Sequence, residues 1–340
     1  MLGARGKSLL RNVATSAPAR LVLRGALRQP PLILTYHRFA SAANGGRGIP
    51  VPMVRRQLEL LTSEGFALLP LAEVVNAIAA GRELPPRTVV ITVDDGYEDF
   101  ASAGAPVFRE FGVPVTMFLT TGFIDGQVWM WWDRLEAALT ARRVASVEVG
   151  GSTHALPGGP DPARRLAIHE LAQRLERLPT AERESAMAAI FAQVDWTSPA
   201  TAPVEFAPMT WEQVRALEAA GTQFGAHTVT HPILALSSDE QSRDEIARSH
   251  ARVLEELKQP VAVLAYPNGD IFARGEREAG FARGAGLAAA VTMSPRFVTP
   301  RTVAGNMYGI PRVATPEDFT SFLQLVAGPE ALRHLIRGLS

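Results

Sequence analysis

The chain has 340 residues, 47% of them hydrophobic, which is enough for one large α/β barrel or two ordinary domains with a sizeable core. Lys plus Arg and Asp plus Glu both total 34, so the formal net charge is zero and there is no global field to attract nucleic acid or another polyanion. The absence of cysteine excludes disulfides and thiolate metal sites, leaving His and carboxylate as the ligands for any metal.

No apolar run reaches the ~18 residues of a spanning helix. Residues 1–30 form a basic N-terminal extension, with Arg5, Lys7, Arg11, Arg20, Arg24 and Arg28 set among scattered apolar residues and no h-region of a secretory signal. Leu9, Leu10, Val13, Leu21, Val22, Leu23 and Leu27 suit a basic amphipathic helix lying on an anionic membrane, and a frayed extension is the alternative. The expected location is cytoplasmic, with peripheral membrane contact through residues 1–30 if that helix forms.

The ordered domain is expected from Pro31. Leu32-Ile33-Leu34-Thr35-Tyr36-His37 reads as a strand with a polar tip, and Ser41 to Pro50 as a loop. Val54 to Ser63 and Leu71 to Ala80 carry helical spacing, stopped by Gly65 and Gly81. Phe66 to Leu69 is a short strand between them. Val89-Val90-Ile91-Thr92-Val93-Asp94-Asp95-Gly96 is a continuous apolar run ending in two carboxylates, the pattern of a parallel strand covered on both faces. Neighbouring strand residues point to opposite sides, but a turn at Gly96 lets Asp94 and Asp95 reach one cavity with different aims.

Asp99 to Phe111 reads as a helix and Val113 to Thr120 as the next buried strand. Trp129, Trp131, Trp132 and Asp133 open a helix, and Arg164 to Leu178 and Ala181 to Phe191 are charged helices. Residues from about 133 to 200 are therefore taken as a helical insertion, and His154 and His169 within it as surface residues. Thr210 caps a helix over Trp211 to Ala220. Gln223 to Ala226 is a strand ending in His227-Thr228-Val229-Thr230-His231-Pro232. Ser238 to Leu257 is a long helix, and Val261 to Ala265 a strand ending in Tyr266-Pro267-Asn268-Gly269. Leu287 to Val291 and Ile310 to Val313 are the last strands, before C-terminal helices in 314–340. The polar residues thus fall at strand C-termini, the layout of a barrel with its active site at that mouth.

Two imidazoles and a carboxylate make a three-ligand site that leaves positions for water and substrate, a catalytic stoichiometry. Pro232 biases His231 away from helix, and a tight loop after the strand can bring the two rings together instead. Zinc is the default for such ligands, and Co2+, Ni2+, Fe2+ and Mn2+ suit them too.

Thr92-Val93-Asp94-Asp95-Gly96 together with His227-Thr228-Val229-Thr230-His231 resembles the first two motifs of the polysaccharide deacetylases (NodB-homology, carbohydrate esterase family four), over roughly residues 31–313. The resemblance implies a distorted (β/α)7 TIM-like barrel that hydrolyses N-acetyl groups on sugars. It also implies Asp95, His227 and His231 as metal ligands and Asp94 as general base. The family's third motif is altered: its arginine is absent from Ala265-Tyr266-Pro267-Asn268-Gly269, so Arg312 is expected to orient Asp94 instead. The Asn268 backbone N–H is expected to serve the oxyanion, and Tyr266 either to serve there or to pack the rim. The late Leu-His motif has no counterpart, the only later histidine being His334. Tyr36-His37 resembles the arrangement in deacetylases of exopolysaccharide systems with permuted motif order, which makes His37 the expected general acid.

The expected function is metal-dependent removal of N-acetyl groups from amino sugars of a polysaccharide or a lipid-linked glycan precursor. The partner is then an N-acetylated glycan, with no nucleic acid and no obligate protein partner. O-deacetylation by the same residues is the alternative hydrolase reading, and a decayed carbohydrate-binding protein the alternative from another class. The three tryptophans are read either as a sugar-stacking platform or as core.

Overall fold

The computed structural model describes residues 29–158, 162–269, 274–299, 303 and 305–327. Most of the basic extension, His334 and the helix expected near the C-terminus lie outside them.

Strand β1 (Leu32–Tyr36) leads through β2 (Phe39–Ala40) and β3 (Ile49–Pro50) into α1 (Val51–Ser63), β4 (Ala67–Leu68) and α2 (Leu71–Ala79). Strand β5 (Thr88–Val93) is followed by a π-helical turn, Phe100–Gly104, that runs into α3 (Ala105–Glu110), then β6 (Val115–Leu119) and the single-turn α4 (Thr121–Ile124). An excursion comes next: α5 (Trp131–Ala141), β7 (Ser146–Val149), β8 (Ser152–Ala155), α6 (Pro162–Glu176) and α7 (Thr180–Gln193). The chain returns through α8 (Trp211–Ala219), β9 (Gln223–Ala226), α9 (Asp239–Glu256), β10 (Val263–Ala265), α10 (Glu276–Gly284) and β11 (Ala289–Thr292). It closes with β12 (Ile310–Pro311), β13 (Val313–Ala314) and α11 (Phe319–Ala327).

The principal sheet is parallel, ordered β12-β11-β10-β9-β6-β5-β1-β13, with β4 added beside β5. Its two ends are one broken stave. Ile310 and Pro311 pair with β11, and Val313 and Ala314 pair with β1, so the sheet curls almost fully round into a barrel whose seam is at Arg312. Counting β12 and β13 as one stave, the eight strands of that order make the seven-stave barrel expected from the sequence.

Strand periodicity fills this barrel. On β1, β5, β6, β10, β11 and β12, the alternate residues Ile33, Val90, Phe118, Val263, Ala265, Ala289, Val291 and Ile310 share one buried cluster. The intervening Leu32, Leu34, Tyr36, Val89, Ile91, Val93, Val115, Met117 and Leu119 belong to another cluster, with α1 and α3 side chains such as Leu58, Leu61 and Phe108. Asp94 continues the row of Val90 and Thr92, and Arg312 the row of Ile310, so the same alternation that packs the interior brings both to its mouth.

The excursion has its own apolar cluster, including Leu135, Leu139, Val147, Leu171 and Ile190. It is not purely helical, as the sequence reading had it: β7 and β8 form an antiparallel hairpin. Gly150 and Gly151, both at positive φ, supply the two-residue turn that only glycine adopts cheaply. Asp99 to Phe111, expected as one helix, is the π-helical turn followed by α3, with Pro106 in the first turn of α3. Among the described residues no helix is long and apolar enough to cross a membrane.

Candidate active site

The strand ends converge on a cavity of about 470 Å³ lined by residues including His37, Asp94, Asp95, His227, His231 and Asn268. Arg312 lies fully buried behind it.

Asp94 and Asp95 reach the cavity by different means. Asp94 is a normal strand continuation, its N–H bonded to the Tyr36 carbonyl at 3.0 Å. Asp95 itself takes a left-handed φ of +76°, followed by Gly96 at +104°. The reversal expected at Gly96 thus begins one residue earlier, and this re-aims a side chain that strand alternation would have pointed into the outer layer. A side chain at Gly96 would also collide with Ile124, 2.7 Å from where a Cβ would sit. Thr228, His231 and Asn268 share the left-handed conformation, at φ +67°, +57° and +59°. Such non-glycine strain persists where the surroundings over-determine it and clusters at functional sites.

Glu245, on α9, supplies that determination for the histidine loop. Its carboxylate accepts hydrogen bonds from the Val229 N–H (2.7 Å), the Thr230 N–H (2.9 Å) and the Thr230 hydroxyl (2.6 Å). The His231 N–H then donates to the Thr228 hydroxyl at 3.1 Å. A non-helical loop therefore brings the rings of His227 and His231 together, at 4.8 Å between centroids.

The three expected ligands meet. One donor atom from each of Asp95, His227 and His231 falls within 4.8 Å of the others, and all three residues are buried. Asp95 Oδ1 lies 3.5 Å from Nε2 of each histidine and, though buried, has no hydrogen-bond partner. Buried polar atoms are nearly always satisfied, so an orphaned carboxylate oxygen facing two imidazole nitrogens fits a bound cation. His227 Nδ1 is 2.7 Å from the Ala265 carbonyl, which fixes the proton on Nδ1 and leaves Nε2 as the ligating nitrogen. Burial pushes the Asp95 carboxyl up, but His227 and His231 outweigh it and hold it well below the usual carboxylate range. Burial and the neighbouring His227 bring His231 down to about 3, which favours the neutral ring that a metal requires.

Arg312 grips Asp94 through two parallel bonds, Nη1 to Oδ1 and Nη2 to Oδ2, both 2.7 Å. Nη1 also donates to the Thr92 hydroxyl at 3.0 Å. Burial works against an ionised Asp94, and Arg312 together with His227 overcomes it, leaving the carboxyl below its ordinary range. The arginine missing from the third motif is thus replaced, at this carboxylate, by one from the closing stave. Asn268 lines the cavity, and its side-chain amide donates to Glu176 of α6 at 2.6 Å. His37 is exposed at the cavity rim. Tyr266 is fully buried in the core rather than at the rim.

Of the three tryptophans only Trp132 lines the cavity. Trp131 is in the core of the excursion, and Trp129 packs on Trp196 and Phe206 with centroids 6.0 Å apart in each case, so no three-ring platform forms. Sequence reasoning did not single out Tyr97, Glu176 or Glu245 and left Asp133 without a role. Tyr97 follows the acidic motif directly, which was an available signal; Glu176 and Glu245 arrive only through helix packing.

A parallel barrel carries at its C-terminal mouth a buried Asp-His-His cluster that could hold a cation and, beside it, an arginine-clamped aspartate. A family model for polysaccharide deacetylase matches residues 81–281, and the chain belongs to that family. Over 94 residues, 27% of this chain, it is 27% identical to the poly-beta-1,6-N-acetyl-D-glucosamine N-deacetylase of Escherichia coli, and the match spans only 14% of that protein. Among solved structures, the deacetylase PplD of Streptococcus pyogenes, in complex with acetate, superposes with a TM-score of 0.57 at 17% identity, covering 89% of this chain and 100% of that one. IcaB from Ammonifex degensii gives 0.55 at 17% identity, covering 88% and 97%. At such identities these likenesses speak for the barrel fold.

Proposed function

We propose that the protein is a metal-dependent hydrolase that removes N-acetyl groups from amino sugars of a polysaccharide or lipid-linked glycan precursor, with residues 31–313 as the catalytic unit. The observation that carries this reading is the pairing of an arginine-clamped Asp94 with the Asp95, His227 and His231 cluster in one cavity. The name of the matched Escherichia coli relative points to the same substrate class.

Asp95, His227 and His231 would hold a divalent ion, zinc by the character of the donors. When bound, such an ion acidifies water and polarises a carbonyl. Asp94, ionised and kept so by Arg312, takes a proton from the attacking water onto its carboxylate. Arg312 restricts the carboxylate to one plane, so the lone pair that receives the proton is already oriented. The Asn268 N–H is the proposed donor to the carbonyl oxygen as negative charge develops there. His37 delivers a proton to the nitrogen as the C–N bond breaks, releasing acetate and a free amine. A decayed binding protein would have no use for the buried guanidinium that orients Asp94.

The test is acetate release from N-acetylglucosamine oligomers by purified protein whose metal content is known. Activity is expected, is lost on chelation and returns with added Zn2+ or Co2+. A folded, metal-loaded protein that frees no acyl group from any acylated glycan overturns the reading. His37→Ala is expected to lower turnover by about 10²–10⁴-fold with metal content intact; loss of the ion instead would make His37 a ligand.

A further inference from the structure

We propose that Tyr97 and Asp133 are positioning residues that lock the Trp132 indole against His231, so that the excursion, through α5, orients one of the ligand side chains. The proposal rests on the functional reading above for the role of His231.

Trp132 Nε1 donates to the Tyr97 hydroxyl at 3.1 Å, and that hydroxyl donates to Asp133 Oδ2 at 2.6 Å. The Tyr97 oxygen therefore has its acceptor and donor capacities fixed by two consecutive residues of one helix. Tyr97 and Asp133 are buried, at 1% and 3% exposure, where an unmade bond costs far more than at the surface. The Tyr97 ring is held independently, edge to face with Phe123 at 5.1 Å and under the Arg38 guanidinium at 3.9 Å. Arg38 in turn donates to Asp99 at 2.8 Å and to the Glu205 carbonyl at 2.6 Å.

The anchored Trp132 meets the His231 ring edge to face, with centroids 4.9 Å apart and planes at 72°. His227 is fixed by its bond to Ala265; the His231 ring has this indole on one side, and the indole cannot turn without giving up its bond to Tyr97. Partners outside the ligands themselves commonly set metal affinity by fixing ring orientation. Asp133 lies in the first turn of α5, directly after Trp132. The excursion is thereby a part of the site's scaffold and not only a decoration of the barrel.

Tyr97→Phe keeps the ring packing and removes only the bridging hydroxyl. It is expected to weaken Zn2+ binding about tenfold, measured by chelator competition without substrate. Asp133→Ala weakens binding likewise, and Asp133→Asn, which keeps an acceptor, restores most of it. Tryptophan emission is expected to change on Co2+ addition to the wild type, and that change to be largely lost in Trp132→Phe, which also carries the affinity test should Tyr97→Phe not fold. A folded Tyr97→Phe protein with wild-type affinity and an unchanged Co2+ response overturns the proposal. Wild-type protein that binds the ion but releases no acetate overturns only the functional reading, and wild-type protein that binds none overturns both.

Discussion

Asp94→Asn is expected to take up its divalent ion as the wild type does and to hydrolyse the glycan amide about 10²–10⁴-fold more slowly, the range for loss of a positioned general base. The two halves of this expectation have separate causes. Metal binding, as proposed, draws on Asp95, His227 and His231, whose donor atoms stay in place when one oxygen of Asp94 becomes an amide nitrogen. Proton acceptance draws on the carboxylate that Arg312 grips on both oxygens. The new amide group also faces the guanidinium with a donor, so that bidentate contact is broken at the same time. Elemental analysis and acetate release on one preparation separate the two effects. An Asp94→Asn protein hydrolysing at the wild-type rate would remove Asp94 from the base role, and one without its ion would make it a fourth ligand.

Arg312→Lys is expected to lose activity by about 10- to 100-fold, because each hydrogen bond to a charged group contributes roughly 1.5–3 kcal/mol and the ammonium cannot reproduce the fork. Charge is conserved in this variant; geometry is not. Arg312 is fully buried, and its Nη1 is shared between Asp94 and Thr92, so a shorter point-charge head leaves at least one of those partners unmatched. The expected signature is a fall in kcat with metal content unchanged, since Arg312 contacts none of the three ligand side chains by hydrogen bond. Unaltered turnover in Arg312→Lys would show that Asp94 needs no such clamp.

The local pattern of residues went far in this protein, for reasons particular to parallel barrels. A strand covered on both faces is a continuous β-branched run, so Val89 to Val93 and Leu32 to Tyr36 could be delimited to within a residue of β5 and β1. Function in such folds gathers at strand C-termini, which made Asp94, Asp95, His227, His231 and Asn268 stand out by position as well as by type. The hairpin β7–β8 was missed because its strands are only four residues long and mostly exposed, with Val147 alone fully buried. The tryptophans were undecidable from sequence, since a large ring suits a core and a cavity wall equally well; packing put Trp131 in the one and Trp132 in the other.

What the sequence by itself determined is which polar residues sit at which strand ends, because periodicity and turn residues act over a few positions of chain. Only the tertiary structure decided which of them touch. Arg312 and Asp94 are 218 positions apart, and they meet because the last stave closes the barrel against β1, beside β5. Asp95 faces the cavity because its backbone is held left-handed, and Trp132 reaches His231 because α5 packs over the mouth on Tyr97. Those contacts follow from how the layers close on one another, and no local pattern of residues encodes that closure.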